Sequence, residues 1–144
     1  MRVGSVREVL EVPASTVDEI VALSVERYPY EACGLIAGPP EGDTVARFFP
    51  CRNVAESARV YTLDPLDHLR AERAAENAGW EIVGVVHSHT HTEAYPSPTD
   101  VAQAPDPGWH YVIVSLRDET APSLRSYRIV GGEVSEEDVA VTRE

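Results

Sequence analysis

The run Tyr111–Leu116 (YVIVSL) constrains the fold more than any other stretch of the chain. Successive residues of a strand point to opposite faces. Here both alternating sets are largely apolar, so the segment reads as a strand buried inside a sheet. Glu81–His87 (EIVGVVH) and Ala32–Ala37 (ACGLIA) have the same character. The GPPEGD segment after the latter predicts a turn, with Val45–Cys51 returning as its hairpin partner. Val3–Val12 has the β-branched content of a strand that Pro13 ends, and Val60–Leu63 suits another short one. Ser123–Val130 (SLRSYRIV) pairs with or follows Tyr111–Leu116, Gly131–Gly132 turns, and the tail beyond is acidic.

Helix signals lie between these strands. Thr16 and Glu19 form a T-x-x-E capping box ahead of Ile20 and Leu23, predicting a helix to about Tyr28 that Pro29 stops. Asp64–Pro65 is a cap followed by a proline at the first helical position, opening a helix that runs to Gly79. Ser97–Pro98 repeats that signal for a short helix to about Ala104. Interspersed strands and helices predict an α/β or α+β fold, with residues 1–144 forming a single domain.

Composition narrows the function classes. At 144 residues with 43% apolar content, the chain can bury a real core. No apolar run approaches the roughly 18 residues that cross a bilayer, and Met1–Leu10 lacks the layout of a signal peptide. The expected location is the cytoplasm, with no membrane partner. The formal net charge is −12 and the basic residues form no patch, so nucleic acid is a poor partner. All twelve basic residues are arginine, which removes Schiff-base and Ser–Lys chemistry. Cys33 and Cys51 form no CxxC and are read as structural thiols.

The chemistry concentrates in GVVHSHTHTEAYPSPTD, residues 84–100. His87 and His89 are two apart at a strand end and share a face, so both imidazoles can reach one ion. Alone, the pair better suits two half-exposed histidines at a strand end. Asp100 adds a carboxylate, and two histidines with one aspartate meet the ligand count of a catalytic zinc site whose fourth position stays open. Ser97-Pro98-Thr99-Asp100 is also a helix N-terminus signal, which presents a carboxylate rigidly.

The spacing H-x-H, seven residues, S, two residues, D resembles the signature of the JAMM, or MPN-plus, metalloproteases. It falls on His87, His89, Ser97 and Asp100. Counting from His91 fails, which makes His91 a loop residue or a group behind the ligands. The family's upstream glutamate corresponds to Glu31 in YEACGLIAG. YEACG, HSHTHTEAYPSPTD and LRSYRIV together resemble the small bacterial members that act on sulfur-carrier proteins. Thr90 departs from the family pattern, standing where many members have a proline.

The resemblance implies a curved mixed β-sheet flanked by helices, similar to the cytidine deaminase fold. It implies one Zn²⁺ held by His87, His89 and Asp100, with Glu31 as general acid/base and Ser97 as oxyanion donor. The implied reaction is hydrolysis of a peptide or isopeptide bond at the Gly-Gly C-terminus of a ubiquitin-like sulfur carrier, releasing cysteine. Other family members act on other ubiquitin-like conjugates, and MPN-minus relatives are non-catalytic scaffolds. Arg59, Arg70 and Arg73 are candidates to meet a substrate carboxylate. Deamination would need C-x-x-C ligands, and thermolysin-like proteolysis would need H-E-x-x-H; neither is present.

Overall fold

The computed structural model describes residues 8–40 and 43–143. Its elements in chain order are β1 (Val9–Pro13), α1 (Ala14–Arg27), β2 (Cys33–Gly38), β3 (Arg47–Cys51), α2 (Pro65–Asn77), β4 (Glu81–His89), α3 (Pro98–Ala102), β5 (His110–Ser115), β6 (Ser123–Val130) and β7 (Glu133–Thr142). The strands form one sheet in the order β1-β7-β6-β5-β4-β2-β3. Pairs β1/β7 and β4/β5 are parallel and the others antiparallel. The fold is therefore α+β with a mixed sheet, as the sequence predicts.

Strand alternation sorts the core into two layers. Leu35, Val85, Ile113 and Tyr127 face one side, where Ala71 and Ala75 of α2 close over them. Ile36, Val86, Val112 and Val114 face the other, covered by Ile20 of α1 with Leu10 and Val12. The central strands β2 and β5 are buried along their whole length because helices cover both faces. Gly84 is required where β4 meets β5: a Cβ there would collide with the His110 carbonyl.

Parallel strands need a crossover, and the β4-to-β5 connection leaves from the histidine end of β4, passing through α3 before it returns. At the other end of the pair, buried His110 is held between two carboxylates. Its Nδ1 lies 2.6 Å from Glu137 Oε2 and its Nε2 3.1 Å from Asp43 Oδ1. Ser126 donates to the same Glu137 oxygen at 2.6 Å.

Several expectations are corrected. Helix α1 starts at Ala14, two residues before Thr16, with Pro13 as N-cap and no side-chain capping bond. Pro13 ends β1 in an extended conformation that turns directly into the helix, which leaves Thr16 buried in the first turn rather than free to cap. The expected strand at Val60–Leu63 is reduced to a single bridge, Asn53–Leu63, because that segment wraps around Asn53. The acidic tail, which carries no strand signal in the sequence, is β7, the neighbour of both β1 and β6. Residues 3–7 of the expected first strand and positions 41 and 42 of the GPPEGD turn lie outside the described residues.

Candidate metal centre

Strand β4 runs two residues beyond the expected His87, so both His87 and His89 belong to it. They follow Val85 on the α2-side face and are buried, at 3% and 5% exposure. Asp100 arrives from α3. Ser97 caps that helix: its hydroxyl accepts from the Asp100 N–H at 3.1 Å, and its own N–H donates to Asp100 Oδ2 at 2.9 Å. This reciprocal capping box fixes the aspartate rotamer. The same Oδ2 lies 3.1 Å from His87 Nε2 and 3.0 Å from His89 Nε2, and the two Nε2 atoms are 3.2 Å apart.

Three ligand atoms thus converge on one point. His89 Nδ1 is 2.9 Å from the Glu93 carbonyl, which only accepts, so Nδ1 carries the proton and Nε2 is left to face the cluster. Tyr61 stacks on the His87 ring with centroids 4.5 Å apart and 22° between planes, limiting its rotation. Burial pulls the His87 imidazole below its ordinary value. Burial pulls His89 the same way, but the hydrogen bonds to Asp100 and the Glu93 carbonyl and the charges of Asp100 and Glu31 together outweigh it and raise the net value. Burial would raise Asp100; hydrogen bonds from both imidazoles overcome it and hold the carboxyl well below the usual range.

Glu31 sits just before β2, 3% exposed. The antiparallel β2/β4 register places Cys33 opposite His87. Ala32 exchanges hydrogen bonds with Ser88, its N–H donating to Ser88 Oγ at 2.8 Å and its carbonyl accepting from the Ser88 N–H at 3.0 Å. Continuing that pairing brings Glu31 beside His89. Burial pushes its carboxyl up to about 8, against the attraction of His89. Glu31 Oε1 is buried without a hydrogen-bond partner among the described residues. An orphaned buried carboxylate oxygen beside the His89 imidazole and a second carboxylate, Asp100, fits a bound cation and its water.

The segment between β3 and α2 is tied to this glutamate. Asn53 Oδ1 accepts from the N–H groups of Ala55 and Thr62 at 3.0 and 2.9 Å. Its Nδ2 donates to the carbonyls of Val60 and Glu31 at 3.2 and 3.1 Å. The Glu31 N–H donates to Ser57 O at 2.7 Å. Thr90 Oγ1 donates to Ala58 O at 3.2 Å, so the residue that departs from the family pattern holds this loop against the end of β4. Glu31, His89, Ser97, Thr90, His91 and Arg59 line a cavity of about 570 Å³. His91 is outside the ligand cluster, 3.2 Å from the Tyr28 hydroxyl. Arg70 pairs with Asp67 on α2 and, like Arg73, does not line the cavity. Asn53 and Tyr61 escape the sequence reading, because neither spacing nor residue type announces a clamp or a stacking partner.

A mixed sheet with this strand order and His₂Asp convergence at the end of β4 defines a JAB/MPN-type domain. The chain matches the family of prokaryotic homologs of the JAB domain over residues 13–130 and belongs to it. It is 46% identical over 144 residues to the CysO-cysteine peptidase of Mycobacterium tuberculosis, covering 100% of this chain and 98% of that one. It is 38% identical over 114 residues to a desampylase of Haloferax volcanii, covering 78% and 79%. The crystal structure of a JAB1/MPN domain protein from Archaeoglobus fulgidus shares the fold, with a TM-score of 0.60 at 21% identity over 91% of this chain and 99% of that one.

Proposed function

We propose that the protein is a zinc metallopeptidase, and that it hydrolyses the bond joining cysteine to the Gly-Gly C-terminus of a ubiquitin-like sulfur carrier. The observation that carries this reading is the convergence of His87, His89 and Asp100 beside the buried, unpartnered Glu31. Full-length similarity to a CysO-cysteine peptidase supports the substrate.

In this reading His87, His89 and Asp100 hold one Zn²⁺, leaving the fourth position open. Bound there, zinc supplies a positive charge that polarises a carbonyl oxygen and lowers the pKa of a neighbouring water. Glu31 accepts the proton from the attacking water. As the C–N bond breaks, Glu31 returns that proton to the leaving amine, and the glycine carboxylate remains on the carrier. Ser97 accepts from the helix backbone through a lone pair and keeps its hydroxyl proton for the developing oxyanion.

Residues 1–144 act as one domain in this reading, since β1 near the start of the chain pairs with β7 near its end. We place the reaction in the cytoplasm; among the described residues no helix is long and apolar enough to cross a membrane.

The test is the intact mass of a Gly-Gly-ending carrier bearing C-terminal cysteine, incubated with zinc-loaded protein or with Glu31→Gln. Loss of one cysteine with the wild type alone is expected. No cleavage by protein holding one zinc would redirect the search to another conjugate. No cleavage and no zinc binding would indicate a scaffold.

A further inference from the structure

Among the described residues, Arg59 is the only arginine lining the cavity that contains Glu31, His89 and Ser97. Other arginines are committed elsewhere: Arg70 to Asp67, Arg125 to Glu136, Arg128 to Glu8, and Arg47 over the Phe49 ring. The Arg59 guanidinium has no ion-pair partner among the described residues. Its backbone is nevertheless fixed, with its N–H on Ser57 Oγ at 3.0 Å, inside the loop that Asn53 closes and that bonds both backbone groups of Glu31. An arginine without an ion-pair partner, on a braced loop that lines this cavity together with Ala58, Thr90, His91 and Thr92, is a built receptor for an anion.

We propose that Arg59 is the specificity residue of this site, taking the free α-carboxylate of a single amino acid beyond the scissile bond. The inference rests on the peptidase reading above and deepens it. A C-terminal amino acid places its carboxylate immediately after the bond that breaks, within the same cavity. A lysine side chain joined through an isopeptide bond offers an alkyl chain there and no carboxylate. Arg59 therefore selects substrates that release a free amino acid over branched protein conjugates.

The experiment compares two carriers differing in one group, Gly-Gly-Cys with a free α-carboxylate and the same carrier ending in cysteinamide. The zinc-loaded wild type should favour the acid by about 10- to 100-fold in kcat/KM, the range expected for a charge-assisted pair. Arg59→Ala should collapse that ratio towards one and Arg59→Lys should keep part of it. Arg70→Ala, outside the cavity, should retain the wild-type ratio. Affinities measured in a Glu31→Gln background, without turnover, should show the same acid-to-amide contrast and its loss with Arg59→Ala. Equal handling of acid and amide by the wild type, or a preference that survives Arg59→Ala, overturns the assignment of Arg59 while leaving the peptidase reading intact. No turnover of either carrier by the wild type overturns that reading, and this inference with it.

Discussion

Ser97 does two jobs that substitution can separate. Its hydroxyl caps α3, but the bond that orients the Asp100 carboxylate comes from its backbone N–H, which any residue except proline keeps. Ser97→Ala should therefore still hold close to one zinc per chain while kcat falls by about 10² to 10³, the usual cost of one oxyanion donor. Zinc stoichiometry and steady-state kinetics on one preparation would check this. Glu31 makes a second prediction, about pH. Its carboxyl is raised from an ordinary 4.5 to about 8 by burial, so the metal-free folded state binds this proton more tightly than the unfolded chain does. The contribution is fully present below pH 4.5 and is lost as pH rises through 8. Asp100 has the opposite sign, losing its contribution on acidification below its ordinary 3.8. Between pH 5 and 8 the melting temperature of metal-free Glu31→Gln should therefore depend less steeply on rising pH than that of the wild type. His87 and His89 are present in both proteins, but the Glu31 charge helps to raise His89, so the difference reports Glu31 together with its coupling to His89, both acting in the same direction.

At the level of elements, β4 carries both fold and site, and Gly84 shows how closely the two are joined. A methyl group at Gly84 meets the His110 carbonyl on the adjacent strand, forcing β4 and β5 apart three residues before His87. Gly84→Ala should cost about 1–3 kcal/mol of stability in urea unfolding and weaken zinc binding with it. The elements that the sequence announces are those with local chemical signals: the Asp64–Pro65 and Ser97–Pro98 helix starts, the Gly79 stop at φ 77°, and the apolar runs of β2, β4 and β5. His87, His89 and Asp100 were legible because their spacing is local as well. What stayed hidden depends on contacts distant in sequence. Strand β7 reads as an acidic tail because the partners of its inward acid, Glu137, are His110, Ser126 and Arg128 on other strands. Asn53 acts through the backbone of Glu31, and Thr16 is buried rather than capping because β1 runs straight into α1.

On the scale of the whole molecule, the sheet is fastened at two ends of one strand pair. His110 stands opposite Gly84, three residues from His87 and five from His89, which separates the Glu137–His110–Asp43 cluster from the two proposed metal ligands on β4 by about 10 and 17 Å at the usual strand rise. The cluster joins β5, β7 and the turn before β3, segments that lie far apart in sequence. Glu137→Ala leaves a buried imidazole without its closest partner and should cost about 3–5 kcal/mol. Glu137→Gln, which still accepts from Ser126, should cost less. Below the unfolding transition both variants should bind zinc as the wild type does, measurable by competition with a chromogenic chelator.

The capping box around Ser97 and Asp100 has a consequence for how the chain meets metal before it is folded. All three proposed ligands lie between positions 87 and 100, so even an unfolded chain can wrap an ion with this short stretch. Ion binding to the denatured ensemble subtracts from the stabilisation that the same ion gives the native state. Added zinc should thus raise the melting temperature by less than its affinity for the native protein implies. Metal recovered with a variant certifies residues 87–100 alone; the arrival of Glu31, more than fifty residues upstream, has to be certified separately.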